Sequence, residues 1–116
     1  MREPVRDKGR LEHMVDAIDN VNEYMQDVSY DVLRGDKMRY HAVVHNIQVV
    51  GEAAYKLTKE FCESHPEVPW RHIVSMRHIL VHDYYNIDLQ EVWNIVANDL
   101  SPLRNQLVDC LHDMED

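Results

Sequence analysis

The 116-residue chain is short of the residues that break a fold into pieces. Its 3 glycines and 4 prolines are too few for the frequent turns of an all-β protein. Its two cysteines, Cys62 and Cys110, are too few for a cysteine-built zinc site, and they are expected to be reduced thiols. No run of about 18 apolar residues is present, so no membrane span is expected. The start, "MREPVRDKGR", is charged and has no hydrophobic signal core, which points to a cytoplasmic protein. Basic residues are scarce, 12 Lys and Arg against 21 Asp and Glu, for a net charge of −9. Such a chain does not coat nucleic acid by bulk electrostatics; only a local basic site is compatible with it. No Gly-rich phosphate loop is found, and Ser75 is not in a nucleophile elbow, which argues against an intrinsic triphosphatase and an elbow-type hydrolase.

What is present reads as helix. The 45% hydrophobic content and 28% charge are those of a globular chain, and the length fits one domain, 1–116, with flexible ends expected at 1–7 and 112–116. Leu11, Met14, Val15, Ile18, Val21, Met25 and Val28 recur at steps of three and four, predicting an amphipathic helix from about Lys8 to Asp27. Ser29 can cap a short turn of helix through "YDVL", which Gly35 ends. Asp36 can cap a second long helix with the stripe Val43, Ile47, Val50, Ala54, Leu57 and Phe61. Gly51 in its middle costs about 1 kcal/mol against Ala, so a packing reason for it is expected. Pro69 suits the first position of a third helix, "PWRHIVSMRHILVHDYY", with Ile73, Met76 and Leu80 toward the core. Asp88 and Glu91 have the spacing of a capping box before a last helix carrying Leu89 to Leu111. Pro102 lies inside that stripe, which predicts a kink or two abutting segments. Four main helices with short connections and additional helical turns predict an all-α antiparallel four-helix-type bundle. Trp70 and Trp93 are expected to anchor its core.

"SMRHILVHDYYNID", residues 75–88, crowds Arg77, His82 and Tyr84 together. On an ideal helix, Arg77 and Tyr84 share a face, whereas His82 lies about 140° around the axis from Arg77. Either the helix unwinds near His82, or a second copy supplies the missing group across a two-fold axis. An arginine and a histidine near a helix end can also simply bind carbonyls and carboxylates there. His78 and His82 stand at i and i+4, where two imidazoles can share an ion with Asp83 or His72, but the His-Glu-x-x-His pattern is absent and no metal is expected.

The spacing Arg77, four residues, His82, one residue, Tyr84 resembles the R-x4-H-x-Y signature of the HEPN superfamily, in its HepT-like branch. Further marks are Ile47, Gly51-Glu52-Ala53, His65-Pro66, Pro69-Trp70, Leu80, Asp83, Ile87-Asp88, Val92-Trp93 and Asp99-Leu100, so that the resemblance covers roughly residues 10 to 108. Ser75 stands where the family commonly has Gly, and His78 where it commonly has a polar Asn; both bear on rate and selectivity. Ser101 before Pro102 is a minor shift at the kink.

The resemblance implies a HEPN-fold homodimer with the two motifs meeting at the interface. It implies the toxin of a prokaryotic, type VII-like toxin–antitoxin pair, with RNA such as tRNA or mRNA as substrate. Cleavage would be metal-independent, with no cofactor. The cognate partner would be an MNT-type nucleotidyltransferase antitoxin that transfers AMP to Tyr84. On this reading Arg77 and His82 are catalytic, with His78, Asp83 and Glu52 in support. The residue chemistry agrees: imidazole titrates near neutrality and can carry the proton, and guanidinium grips phosphate oxygens and developing negative charge. A 2′,3′-cyclic phosphate product is expected. Arg34, Lys37, Arg39 and Arg71 are the residues available for a local basic cleft. The alternative is a non-catalytic helical partner that binds a nucleotidyltransferase or a nucleotide.

Overall fold

The structure, a computed structural model, describes residues 2–82 and 89–114, with side chains for 6–77 and 89–114. The elements are α1 (Arg2–Tyr24), α2 (Tyr30–Gly35), α3 (Lys37–Tyr55), α4 (Lys59–Ser64), α5 (Trp70–His82), α6 (Leu89–Asn94), a π-helical turn (Ile95–Asp99) and α7 (Leu100–Asp113). Among the described residues all regular structure is helical, as an all-α bundle requires.

Side-chain ties between elements give the directions. Arg39, at the start of α3, donates through Nη1 to the Tyr24 carbonyl at the end of α1 (2.7 Å). At the other end, buried Asp7 of α1 accepts from the Thr58 amide (3.0 Å) and hydroxyl (2.6 Å), just past α3. The two helices therefore run antiparallel. Between these ties Asn20 donates to buried Asn46 (3.1 Å), which itself donates to the Ala42 carbonyl, so this polar group is satisfied inside the α1–α3 seam. Helix α5 starts beside α4, which follows the end of α3: the Phe61 ring meets His65 tilted and Trp70 edge-on, and Trp70 Nε1 donates to the His65 carbonyl at 2.9 Å. The last helical path starts beside α2, where Trp93 meets Tyr30 edge-on at 5.7 Å. It returns along α1, where Arg104 grips Asp19 at 2.6 Å, toward Glu67, whose carbonyl accepts from Gln106. The result is an up-down-up-down bundle around Leu11, Met14, Ile18, Val43, Ile47, Ile73, Met76, Leu100 and Leu107. Trp70 and Trp93 pack against this core but are only partly buried.

Side-chain caps set the starts of α2, α3 and α4. Ser29 Oγ accepts from the Val32 amide, and Asp36 Oδ1 from the Arg39 amide, as their spacing predicts. Several boundaries differ from expectation. Helix α1 starts at Arg2 rather than Lys8 and ends at Tyr24 rather than Asp27. Past its end, Asp27 adopts φ 59°, a left-handed conformation that Asp tolerates better than most residues. Gly35 closes α2 without a left-handed backbone; Asp36, at φ −116° and ψ 89°, makes that turn. The second long helix stops at Tyr55 instead of reaching Phe61, because Thr58 starts a new helix, its Oγ1 accepting from the Phe61 amide. The apolar stripe continues across the break because α4 keeps Phe61 facing the core. Pro69 sits one position before α5, and its carbonyl accepts the first helical bond from Ile73. Around Pro102 the path does not stop: α6, the π-helical turn and α7 abut without a gap, and Pro102 is the third residue of α7. The Leu100 amide bonds to the Ile95 carbonyl five residues back, so the ladder widens one turn before the proline that has no amide to donate. Asp88 of the expected capping box lies outside the described residues.

Candidate active site around Arg77

The closest approach of α3 to α5 sets the site. A Cβ built on Gly51 would lie 2.6 Å from the Arg77 amide nitrogen, 2.8 Å from its Cβ and 3.1 Å from its Cα. Only glycine lets α5 come this close, which is the packing reason expected for a mid-helix glycine. The crossing falls on the backbone of Arg77 and thereby fixes where its guanidinium leaves the helix.

Two residues of α3 hold that guanidinium. Glu52, next to the glycine, places Oε1 3.4 Å from Arg77 Nη1. One turn on, the Tyr55 ring lies under the guanidinium with Cζ 4.0 Å from its centroid. Lys56 Nζ stands 3.9 Å from the other Glu52 oxygen. Arg77 is 26% exposed and Glu52 47%, so solvent weakens their attraction to about 1 kcal/mol or less. The cation–π contact adds about 0.5–1 kcal/mol. These energies orient the arginine without locking it. The buried Arg77 Nε has no hydrogen-bond partner among the described residues, although such a donor normally finds one. Arg77 and Glu52 line one concavity of about 240 Å³ with His45, Gln48 and Val49. His45 is seven residues before Glu52 and so lies on the same face of α3, about 10 Å away along the axis.

Helix α5 is unbroken from Arg77 through His82. It therefore does not unwind between them, and on an intact helix positions five residues apart lie about 140° apart around the axis. The side chains of His78 and His82, and residues Asp83 and Tyr84, lie outside what is described. Glu52 and Arg77 are the sequence candidates that the described structure brings together. Sequence reasoning missed Tyr55 and His45. Their signal was legible as the spacing 45, 52, 55 on one face of α3, but no pattern marks an exposed tyrosine as an arginine's neighbour until the helices are packed.

The arginines and lysine expected in one basic cleft are not together. Arg34 and Lys37 line a second concavity of about 330 Å³ with Tyr40 and Leu89. Arg39 is held by Asp36 and the Tyr24 carbonyl, and Arg71 sits at the opposite end of the bundle, where α5 begins. His72, considered as a metal ligand, instead meets Asp99 at 3.1 Å. Among the described residues, no three His, Cys, Asp or Glu side chains converge as a metal-binding group. Both thiols are free, and burial first, then neighbouring carboxylates, raises their pKa values, that of Cys110 to about 11. They stay protonated near neutral pH and are poor nucleophiles. No described helix is long and apolar enough to cross a membrane.

The family described as "Ribonuclease HepT-like" matches residues 14–109 of this chain. The chain belongs to the ribonuclease HepT-like family. This HepT-like chain is 30% identical over 99 residues to a probable ribonuclease HepT of Thermococcus cleftensis, covering 85% of this chain and 90% of that one. It is 31% identical over 100 residues to a candidate RNase of Methanocaldococcus jannaschii, with 86% and 92% covered. A candidate RNase of Caldanaerobacter subterraneus is 30% identical over 101 residues, with 87% and 90% covered. No solved structure matches the chain at a significant level. The match spans α3, α5 and the crossing at Gly51, so the HepT-like region contains the whole site built around Arg77.

Proposed function

We propose that this HepT-like chain is an endoribonuclease whose active site is completed by a second copy of itself. The observation that carries the proposal is the partly exposed Arg77, which lines a concavity and whose guanidinium is oriented by Glu52 and Tyr55, in a chain of a ribonuclease family. In this reading Arg77 binds the scissile phosphate and the charge that develops on it. His82 carries the proton between the ribose 2′-hydroxyl and the leaving 5′-oxygen. Cleavage then needs no metal and leaves a 2′,3′-cyclic phosphate. The intact helix from Arg77 to His82 supports the dimer. A helix that places the two positions about 140° apart around its axis serves one phosphate best when a symmetry mate contributes to the pocket. His78, Asp83 and Glu52 act in support, Glu52 by aiming the guanidinium.

Tyr84 is the regulatory position in the same reading. A partner nucleotidyltransferase of the MNT type transfers AMP from ATP to its hydroxyl, which loses its proton as pyrophosphate leaves, and the bulky anion then occupies the phosphate site. The pair acts as toxin and antitoxin in the cytoplasm.

The test is cleavage of a mixed RNA pool by the purified chain in the presence of chelator, beside Arg77→Ala and His82→Ala proteins. Cleavage is expected to survive chelation and to fall by at least two orders of magnitude in each variant, because proton transfer and charge stabilisation each contribute on the order of 10²–10³. A His82→Ala protein as active as the parent would defeat the mechanism. The non-catalytic alternative, a helical partner that lends affinity to a nucleotidyltransferase, requires no cleavage by any of the three. Mass spectrometry after coexpression with the nucleotidyltransferase should place AMP on Tyr84, and AMP found solely elsewhere would refute that role.

A further inference from the structure

The concavity between the end of α2, the start of α3 and the start of α6 has no part in the chemistry above. Its described lining is Arg34, Lys37, Tyr40 and Leu89. In a chain of net charge −9, this is two cations with no carboxylate among the described lining residues. Three other concavities differ. One holds Arg39 with Glu23 and Asp36, another Arg77 with Glu52, and a third His72 with Asp99. Arg34 does reach Asp31 at 3.5 Å, but their side chains are 67% and 81% exposed, so the pair is weak and yields readily to a stronger anion. Lys37 has no ion pair among the described residues. Tyr40 and Leu89 are partly buried and add an apolar wall at about 330 Å³, enough for a base or ribose beside the phosphate.

Position gives the site its meaning. Lys37 opens α3, and Gly51, where Arg77 crosses, lies fourteen residues further along the same helix. At 1.5 Å per residue the separation is about 21 Å. A stacked strand rises about 3.4 Å per nucleotide, so the distance corresponds to about six nucleotides. We propose that the Arg34–Lys37–Tyr40–Leu89 concavity is an RNA subsite that grips one or two phosphates, with a base against its apolar wall, about six nucleotides from the phosphate at Arg77. The proposal rests on the ribonuclease reading. It explains how an acidic protein retains a substrate: two separated cationic points, Arg34 and Lys37 around the start of α3 and Arg77 of α5 packed near its end, hold a strand of sufficient length, while the rest of the surface repels it.

The experiment compares binding of 12-nucleotide and 4-nucleotide single-stranded RNA by Arg34→Ala/Lys37→Ala protein, as a function of salt. Both the parent and the double variant carry His82→Ala to prevent cleavage. Lys59→Ala, on an exposed lysine paired with Glu63 in α4, is the control. The double variant is expected to bind the 12-mer on the order of tenfold more weakly at 0.1 M salt, with its log–log salt slope reduced by about 1.4 for two lost phosphate contacts. The penalty should shrink for the 4-mer, which is too short to span both points. An Arg34→Gln/Lys37→Gln protein repeats the measurement should the alanine protein melt early. An unchanged slope, or an equal penalty on both lengths, overturns the subsite. Unchanged RNA binding with weakened capture of the nucleotidyltransferase also overturns it and makes the concavity a protein-docking surface. Because binding is read without cleavage, failure of the unsubstituted chain, with His82 intact, to cleave RNA defeats the nuclease reading while this measurement still decides the subsite.

Discussion

Gly51→Ala measures how tightly the α3–α5 crossing specifies the position of Arg77. The new Cβ would sit 2.6 Å from the Arg77 amide nitrogen, whereas ordinary contact begins at 3.4 Å, so the two backbones must part by roughly 0.8 Å. No rotamer change relieves this, because the nearest atoms are the Arg77 backbone and its Cβ. Forcing extra volume into a packed contact costs about 1–3 kcal/mol, and a clash with backbone belongs at the upper end. Alanine returns about 1 kcal/mol of helix propensity. The net loss is about 1–2 kcal/mol, or roughly 4–10 °C in Tm for a domain of this size. Gly9 supplies the control: it lies in α1 with nothing within 4 Å of the built Cβ, so Gly9→Ala should stabilise by up to about 1 kcal/mol. Thermal and urea melts of the two proteins should therefore shift in opposite directions. RNA cleavage by Gly51→Ala should fall even at temperatures where it is fully folded, because the arginine moves relative to Glu52 and Tyr55. A Gly51→Ala protein as stable as Gly9→Ala, with parental cleavage, would show that the crossing is loose and that Arg77 is placed by something else.

Three further outcomes follow from named contacts. Thr58→Ala removes the hydroxyl that donates to buried Asp7 Oδ2 and that caps α4, leaving the amide bond to Asp7 Oδ1, and should cost about 2–4 kcal/mol in urea unfolding, whereas Arg104→Ala at the exposed Asp19 pair should cost about 1 kcal/mol or less, and less still at 1 M salt. Burial, then Glu67, Asp113 and Asp109, raise Cys110 from about 9 to about 11. The folded state then holds a proton that the unfolded chain loses, so stability is full below pH 9 and falls by up to about 2–3 kcal/mol as pH rises toward 11, and Cys110→Ala should flatten this part of the profile. Arg77→Lys keeps the charge but loses the planar fork over Tyr55, and should lower kcat/KM for RNA by at least tenfold; a lysine protein with parental kinetics would reduce the role of Arg77 to that of a point charge.

Periodicity made the helices legible because each buries one stripe. Leu11, Met14, Ile18 and Val21 are fully buried where a 3.6-residue repeat puts them. The caps at Ser29 and Asp36 were legible because they depend on neighbours three residues away. The break after Tyr55 was not legible, since the stripe runs through it to Phe61 and Thr58 is committed to its cap by Asp7, 51 residues distant. The turn before Pro102 was half legible: the proline announces a disturbed ladder, but whether the chain kinks, splits or widens depends on how α7 must lie along α1.

The candidate site divides in the same way. Sequence alone determined that the chain is a helical bundle of the HepT-like kind and that Arg77 is a residue to examine, because spacing within one helix and a family's motif are local properties of the chain. Packing alone decided that Gly51 meets the Arg77 backbone, that Glu52 and Tyr55 hold its guanidinium, and that Arg34 and Lys37 stand apart from Arg39 and Arg71. Those relations join residues far apart in the chain, and they exist only once burial of the apolar stripes has brought one helix against another.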